Sequence, residues 1–306
     1  MPTILNLNED QIAALLDWPS LIAVLESALI EYSVRPACSP VRQILSLPAQ
    51  DAFFGVMAAV CRDVLGAKLV TVYPGNAAHH LPTHMGTIQL FRATTGEPIA
   101  NLDARLITEM RTAAVSAIAT RLLAKPDAQI LAILGSGVQA KAHLKALRLV
   151  RNFTQVYIWS RTPAHALRFA EETGAVPASA ENAVRNADIV VTATHAPEPV
   201  LSGGWLKSDV HVNAIGAVGA SRRELDASVF ENASVIVESR EAAAKEAGDV
   251  LLAGASIYAE LGELLAGTKP APQNHRTVYK ALGIGIEDIA TARLIYMRSA
   301  GVTAAP

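Results

Sequence analysis

Ile130-Leu131-Ala132-Ile133-Leu134 runs without a break into Gly135-Ser136-Gly137-Val138-Gln139-Ala140, and Leu144, Leu147 and Val150 follow at helical spacing. An apolar run, a glycine turn and an amphipathic helix in that order make up the strand, phosphate turn and helix of a dinucleotide-binding unit. Gly135 permits the tight turn, Gly137 lets a pyrophosphate approach the backbone, and the small Ala140 lets helix and strand pack closely. The phosphates would sit at the helix N-terminus, where free N–H groups and the macrodipole favour an anion. Ser136, Val138 and Gln139 therefore join the two glycines as cofactor-binding candidates. The same pattern also suits an ordinary strand-to-helix turn, but the right period on both flanks and a second strand beyond favour the cofactor.

Outward from this unit, apolar runs alternate with helical patterns: Gln129 to Leu134, Gln155 to Trp159, Asp188 to Thr192, Val210 to Ala214 and Ser234 to Val237. Such runs are strands buried on both faces of a parallel sheet, so residues 113–286 read as a doubly wound Rossmann domain of the α/β class. The tip of its second strand selects the dinucleotide, because a carboxylate there suits a ribose 2′-hydroxyl and a cation suits a 2′-phosphate. The chain has Ser160-Arg161-Thr162, a guanidinium and two hydroxyls, which favours NADP(H) with NAD(H) as the other option. The alternative is that Arg161 is a solvated residue at a helix start. Thr192-Ala193-Thr194-His195 and Asn213-Ala214-Ile215-Gly216 end the next two strands, where doubly wound sheets hold ligands. Thr192, Ala193, Thr194, Ile215 and Gly216 are thus candidates for the nicotinamide side.

Upstream the period shortens. Residues 10–32 read as two amphipathic helices, then 42–47, 52–60, 67–73 and 85–91 read as strands punctuated by Pro48, Pro74-Gly75, Pro82 and Gly96. Strands without helices between them predict an antiparallel sheet, and a helix over 105–124 ends before Pro126. The last helix, Glu287 to Arg298, follows Gly283-Ile284-Gly285 and returns to this α+β domain, which makes the nucleotide domain an insertion. The predicted division is 1–112 completed by 287–306 for the first domain and 113–286 for the second.

Composition removes several functional classes. Lys plus Arg is 26 against 28 Asp plus Glu, so no field attracts nucleic acid. The longest uncharged stretch, 69–91, is interrupted by prolines, glycines and histidines, so no membrane span is expected. Two cysteines, Cys38 and Cys61, are too few for a disulfide framework or a metal cage, and with no export signal the expectation is a cytoplasmic protein without a metal.

Hydride chemistry on a small acid calls for cations to hold a carboxylate and a group to manage a proton. Arg42, Lys68 and Arg111 are the candidates. Lys68 lies among apolar residues in Gly66-Ala67-Lys68-Leu69-Val70, and burial there would depress its pKa towards neutrality. The alternative is an edge-strand lysine paired to Asp63 or Asp103.

Ala67-Lys68-Leu69-Val70 with Tyr73-Pro74-Gly75-Asn76, Arg111 to Ala117, Gly135 to Ala140, Asn213 to Gly216, Arg223 to Asp226, Glu246 to Val250 and Gly283 to Asp288 together resemble the ornithine cyclodeaminase/μ-crystallin family over nearly the whole chain. The resemblance implies a homodimer that pairs its N-terminal sheets, so that the first domain is a substrate-binding and dimerisation domain. It also implies chemistry at the α-carbon of an amino or imino acid. By position, Arg42 and Arg111 match carboxylate-binding arginines, Lys68 the active-site lysine, and Met57 a residue facing the substrate. His84 is a further pocket candidate, with a structural histidine bonded to a backbone carbonyl as its alternative.

The departures bear on the reaction. Cyclodeaminases and related alanine dehydrogenases resemble one another in an aspartate where this chain has Val218, and cyclodeaminases in a glutamate where it has Gly55. Without these carboxylates nothing matches the distal amine of ornithine. The Trp159 to Thr162 strand end resembles family members that include NADPH-dependent reductases of cyclic ketimines. The resemblance thus implies reduction of an imino acid C=N bond, with ornithine cyclodeaminase, an alanine-type dehydrogenase or a non-catalytic NADPH-binding protein as alternatives.

Overall fold

A computed structural model describes residues 4–35 and 38–301. The chain opens with β1 (Leu5–Leu7), α1 (Glu9–Leu15) and α2 (Trp18–Val34), each helix begun by a side chain that accepts a backbone N–H: Asn8 from Gln11 and Asp17 from Ser20. Then come β2 (Gln43–Leu47), β3 (Ala52–Cys61), β4 (Val64–Val72), β5 (His84–Arg92) and β6 (Pro98–Asp103), followed by α3 (Arg105–Leu123). The sheet order is β1-β6-β5-β4-β3-β2. It is antiparallel except that β1 runs parallel to β6, so the predicted antiparallel sheet gains one parallel edge. β1 and β6 escape the sequence reading because they are short and carry Asn6 and Asn101 in their middles.

The next stretch alternates strand and helix: β7 (Ile130–Leu134), α4 (Val138–Leu147), β8 (Gln155–Trp159), α5 (Pro163–Thr173), β9 (Val176–Pro177), α6 (Ala180–Val184), β10 (Ile189–Thr192) and β11 (His211–Ala214). It continues with β12 (Ala233–Val237), α7 (Arg240–Glu246), α8 (Gly248–Ala253), β13 (Ile257–Glu260), α9 (Leu261–Leu265) and β14 (Arg276–Lys280). All eight strands are parallel, in the order β13-β12-β14-β11-β10-β7-β8-β9. Leu131 to Leu134 and Ile189 to Val191 are fully buried, and each such Leu or Ile side chain contributes roughly 1.5–3 kcal/mol. β14 sits between β11 and β12 although nothing in its sequence announces it: Thr277, Val278 and Tyr279 lie between two charges, and Lys280 is itself buried.

The final helix, α10 (Gly285–Ser299), packs on α2, β3, β4 and β5. Two compact units result: the chain up to Arg111 with the chain from Gly283 onward, and Thr112–Leu282. The second join precedes the expected residue 287 because Gly283 already bonds within the first unit, its carbonyl accepting from Arg42. Among the described residues no single helix is long and apolar enough to cross a membrane.

Candidate active site

α10 brings the first unit's charges together. Its N-cap residue, Ile284, has no side chain able to accept a hydrogen bond, and the Ser39 hydroxyl takes the Ile286 N–H instead, at 3.1 Å. Glu287 and Asp288 follow in the first turn, fully buried, where the helix dipole favours negative charge. Asp288 Oδ2 lies 2.7 Å from Lys68 Nζ, and Asp288 Oδ1 accepts from Arg111 Nε at 3.1 Å. Glu287 Oε2 accepts from Arg111 Nη1 at 2.8 Å, and Arg42, just ahead of β2, donates to the Gly283 carbonyl at 2.8 Å. Gly283 has φ 71°, and a Cβ there would stand 2.3 Å from Arg111 Nη1, so only glycine lets the guanidinium reach its carboxylates.

Lys68 is therefore a central-strand lysine, 2 % exposed, and its partner is neither Asp63 nor Asp103. Asp63 pairs with Arg293, and Asp103 accepts the Arg105 N–H. Pattern reading looks for partners nearby, whereas the sheet and α10 bring together residues 68 and 288. Burial pulls the Lys68 ammonium down to about 8; Asp288 opposes the fall, and Arg111 and Arg42 add to it. Burial alone would raise the Asp288 carboxyl, but the charges of Arg111 and Lys68 hold it below the usual carboxylate range.

The remaining substrate candidates divide. Met57 is buried directly across from Lys68 in the β3–β4 register. His84 is exposed at the start of β5, four residues from Lys68's partner Ile88, which is about 13 Å along the strand. Met57 thus adjoins the lysine and His84 does not. A Cβ at Gly55 would stand 3.1 Å from Val70 Cγ1 and 3.4 Å from Ile44 Cδ1, so apolar groups surround this position.

The second unit holds the nucleotide candidates. Gly135 has φ 118°, and a Cβ there would stand 2.2 Å from the Ala193 carbonyl oxygen, so the turn demands glycine. Gly137 caps α4 without a side-chain hydrogen bond and would meet nothing within 4 Å if it carried a Cβ. The turn is open and, among the described residues, no side chain caps the first N–H groups of α4, which fits a dinucleotide pyrophosphate. Val138 is exposed, Gln139 is half-buried, and the Ser136 and Ser160 hydroxyls are 2.9 Å apart. Arg161 is exposed with no ion pair or hydrogen bond among the described residues, and Thr162 caps α5 with its backbone only. Ala193 N–H donates to the Leu134 carbonyl and Ile215 N–H to the Thr192 carbonyl. The hydroxyls of Thr192 and Thr194 and the N–H groups of Thr194 and Gly216 all point to one buried carboxylate, Glu224. Val218 lies exposed beyond β11. Among the described residues no group of three or more His, Cys, Asp or Glu could hold a metal ion.

Sequence reading gave no role to Glu287, Asp288 or Glu224, nor to the ion pair of Asp249 and Lys280 at 2.8 Å. For the first two a signal exists, an acidic pair opening a helix straight after Gly283-Ile284-Gly285.

The profile of the ornithine cyclodeaminase/mu-crystallin family matches residues 5–302. Ketimine reductase mu-crystallin of Mus musculus is 43% identical over 284 residues, which cover 90% of this chain and 91% of the mouse protein. Among solved structures, Delta(1)-pyrroline-2-carboxylate reductase of Thermococcus litoralis in complex with NADH and L-proline superposes with a TM-score of 0.91 at 33% identity, covering 99% of this chain and 100% of that one. An archaeal alanine dehydrogenase dimer with bound NAD superposes with a TM-score of 0.90 at 29% identity, covering 98% of both chains.

Proposed function

The chain belongs to the ornithine cyclodeaminase/mu-crystallin family, and from that premise we propose that it is an NAD(P)-dependent oxidoreductase reducing the C=N bond of a small, preferably cyclic, imino acid. The observation that carries the reading is Lys68, an ammonium buried against Asp288 beside Arg111 and held near a neutral pKa. In the proposed reaction Arg42 and Arg111 bind the substrate carboxylate, with Glu287 and Asp288 fixing the orientation of Arg111. Lys68 Nζ, fixed by Asp288, passes a proton to the imine nitrogen and is left a neutral amine, and the iminium so formed has an electrophilic carbon. A reduced nicotinamide dinucleotide supplies the hydride when bound. Gly135, Gly137 and the N-terminus of α4 would hold its pyrophosphate. Oxidative deamination of a diamino acid asks for more carboxylates, and positions 55 and 218 carry none.

NADP(H) is the proposed partner over NAD(H), supported by the uncommitted Arg161 beside Ser160 and Thr162. A homodimer is proposed on the exposed apolar side chains of the edge strand β2, Ile44 and Leu45, and on the dimeric state of the alanine dehydrogenase relative. Two free cysteines support a reducing, cytoplasmic setting. The test is oxidation of NADPH and NADH with Δ1-pyrroline-2-carboxylate and Δ1-piperideine-2-carboxylate, with ammonia release from ornithine measured alongside. Imine-dependent oxidation is expected; ammonia from ornithine with no turnover of either imine would overturn the reading.

A further inference from the structure

Three turns at the carboxyl ends of β7, β10 and β11 press together in the second unit. A Cβ at Gly216 would stand 2.1 Å from the Thr194 carbonyl oxygen and 2.6 Å from Glu224 Oε1, just as one at Gly135 would strike Ala193. Glu224 is fully buried, and each of its oxygens takes one backbone N–H and one hydroxyl. Oε1 accepts from Thr194 N at 2.6 Å and Thr194 Oγ1 at 2.7 Å; Oε2 accepts from Gly216 N at 2.6 Å and Thr192 Oγ1 at 3.0 Å. The Glu224 backbone is fixed in turn, since its own N–H and that of Leu225 donate to Asp249 Oδ1 at 2.7 and 2.9 Å. Asp249 Oδ2 pairs with Lys280, whose ammonium also donates to the Ala217 carbonyl at 2.5 Å.

We infer that Glu224 is a positioning residue for the nicotinamide half of the dinucleotide: its carboxylate ties the loop after β10 to the loop after β11 and so sets the surface on which that half rests. The inference rests on the dinucleotide reading proposed above, with the adenosine half at Gly135 to Gly137 and Ser160 to Thr162. A carboxylate suits the task because both oxygens must accept from an N–H; an amide has one acceptor only, so it would turn its own N–H against one of the two loops. Burial pushes the Glu224 carboxyl above its ordinary range, while Lys280 and the Thr194 donors oppose that rise.

The test compares whole dinucleotide with its adenosine half by calorimetry, using NADPH and NADH against adenosine 2′,5′-bisphosphate and 5′-AMP. Glu224→Gln should weaken the dinucleotides about tenfold or more, the value of one charge-assisted hydrogen bond, and leave the adenosine fragments unchanged. Glu224→Asp, which keeps the charge but withdraws it by one methylene, should give the same pattern. Equal weakening of dinucleotide and fragment, or no weakening of either, would overturn the inference. If neither variant folds, hydrogen exchange on the cofactor-free native protein decides: protected Thr194 and Gly216 amides support the tie, and exchange at open-loop rates removes it. Failure of the native protein to bind any of the four probes would instead overturn the dinucleotide reading itself.

Discussion

Among the described residues each unit contains one fully buried lysine and aspartate pair, Lys68 with Asp288 at 2.7 Å and Lys280 with Asp249 at 2.8 Å, and the two are surrounded differently. Lys280 has a carbonyl as second acceptor, and the other oxygen of Asp249 takes two backbone N–H groups, so the pair is surrounded by main chain that it holds in place. The second neighbour of Lys68 is a hydroxyl, Thr108 Oγ1, at 3.5 Å, and Arg111 and Arg42 stand near enough to lower its pKa. Burial of a charge is thus compatible with opposite uses. The Lys280 pair fastens loops, whereas at Lys68 burial, with Arg111 and Arg42 adding to it, brings the ammonium down to about 8, where it can pass on its proton.

The contrast breaks or holds first on stability. Lys280→Met removes one member of a buried pair and should cost about 3–5 kcal/mol in denaturant unfolding. Lys68→Ala should cost clearly less, because Arg111 still faces Asp288; equal losses would erase the distinction between the pairs. Activity should order them the other way. Lys68→Ala should lower imine turnover about 10²-fold or more with dinucleotide affinity retained, and an unchanged rate would remove Lys68 from the chemistry. A finer test is the pH profile. Lys68 is protonated below about 8, so imine reduction should hold below that pH and fall as pH rises through it. Asp288 raises the lysine's pKa and Arg111 and Arg42 lower it, so Asp288→Asn should move this alkaline limb of kcat/KM to lower pH, by about one pH unit or more. A limb that stays in place would mean that another group titrates.

The same contrast governs what could be read from sequence. The nucleotide turn was legible because its physics is local: five apolar residues, two glycines and a helix period lie within about twenty positions, and β7 and α4 form there. Lys68 stood out as a lysine in an apolar strand, yet its partner could not be named. Residue 288 reaches it only once α10 returns across β3 to β5, a pairing that no local pattern carries. β14 was missed for the related reason that Lys280 looks like a surface residue until Asp249 is beside it. Arg42 and Arg111 gained their assignment from the family resemblance, whereas Glu224, inside a quoted motif, showed its four donors only in three dimensions.

Held and unheld cations can also be compared among the arginines, where the expected effect is the smallest. Arg111 is buried between two carboxylates, while Arg161 is exposed at the end of β8 with no partner among the described residues. A guanidinium between two protein carboxylates is held in one orientation, which suits the carboxylate-binding role proposed for Arg111; a solvent-exposed one at the tip of the second strand is available to a 2′-phosphate, with the hydroxyls of Ser160 and Thr162 beside it. Arg161→Ala should therefore leave unfolding within about 0.5 kcal/mol of the parent, raise KM for NADPH about tenfold, and spare NADH. Because the site is open to solvent, the loss should shrink as salt is raised, since added ions already screen the contact in the parent protein. Equal loss of both dinucleotides would make Arg161 a structural residue of the α5 start. No loss of either would move the choice of cofactor to other residues and leave NADH as acceptable as NADPH.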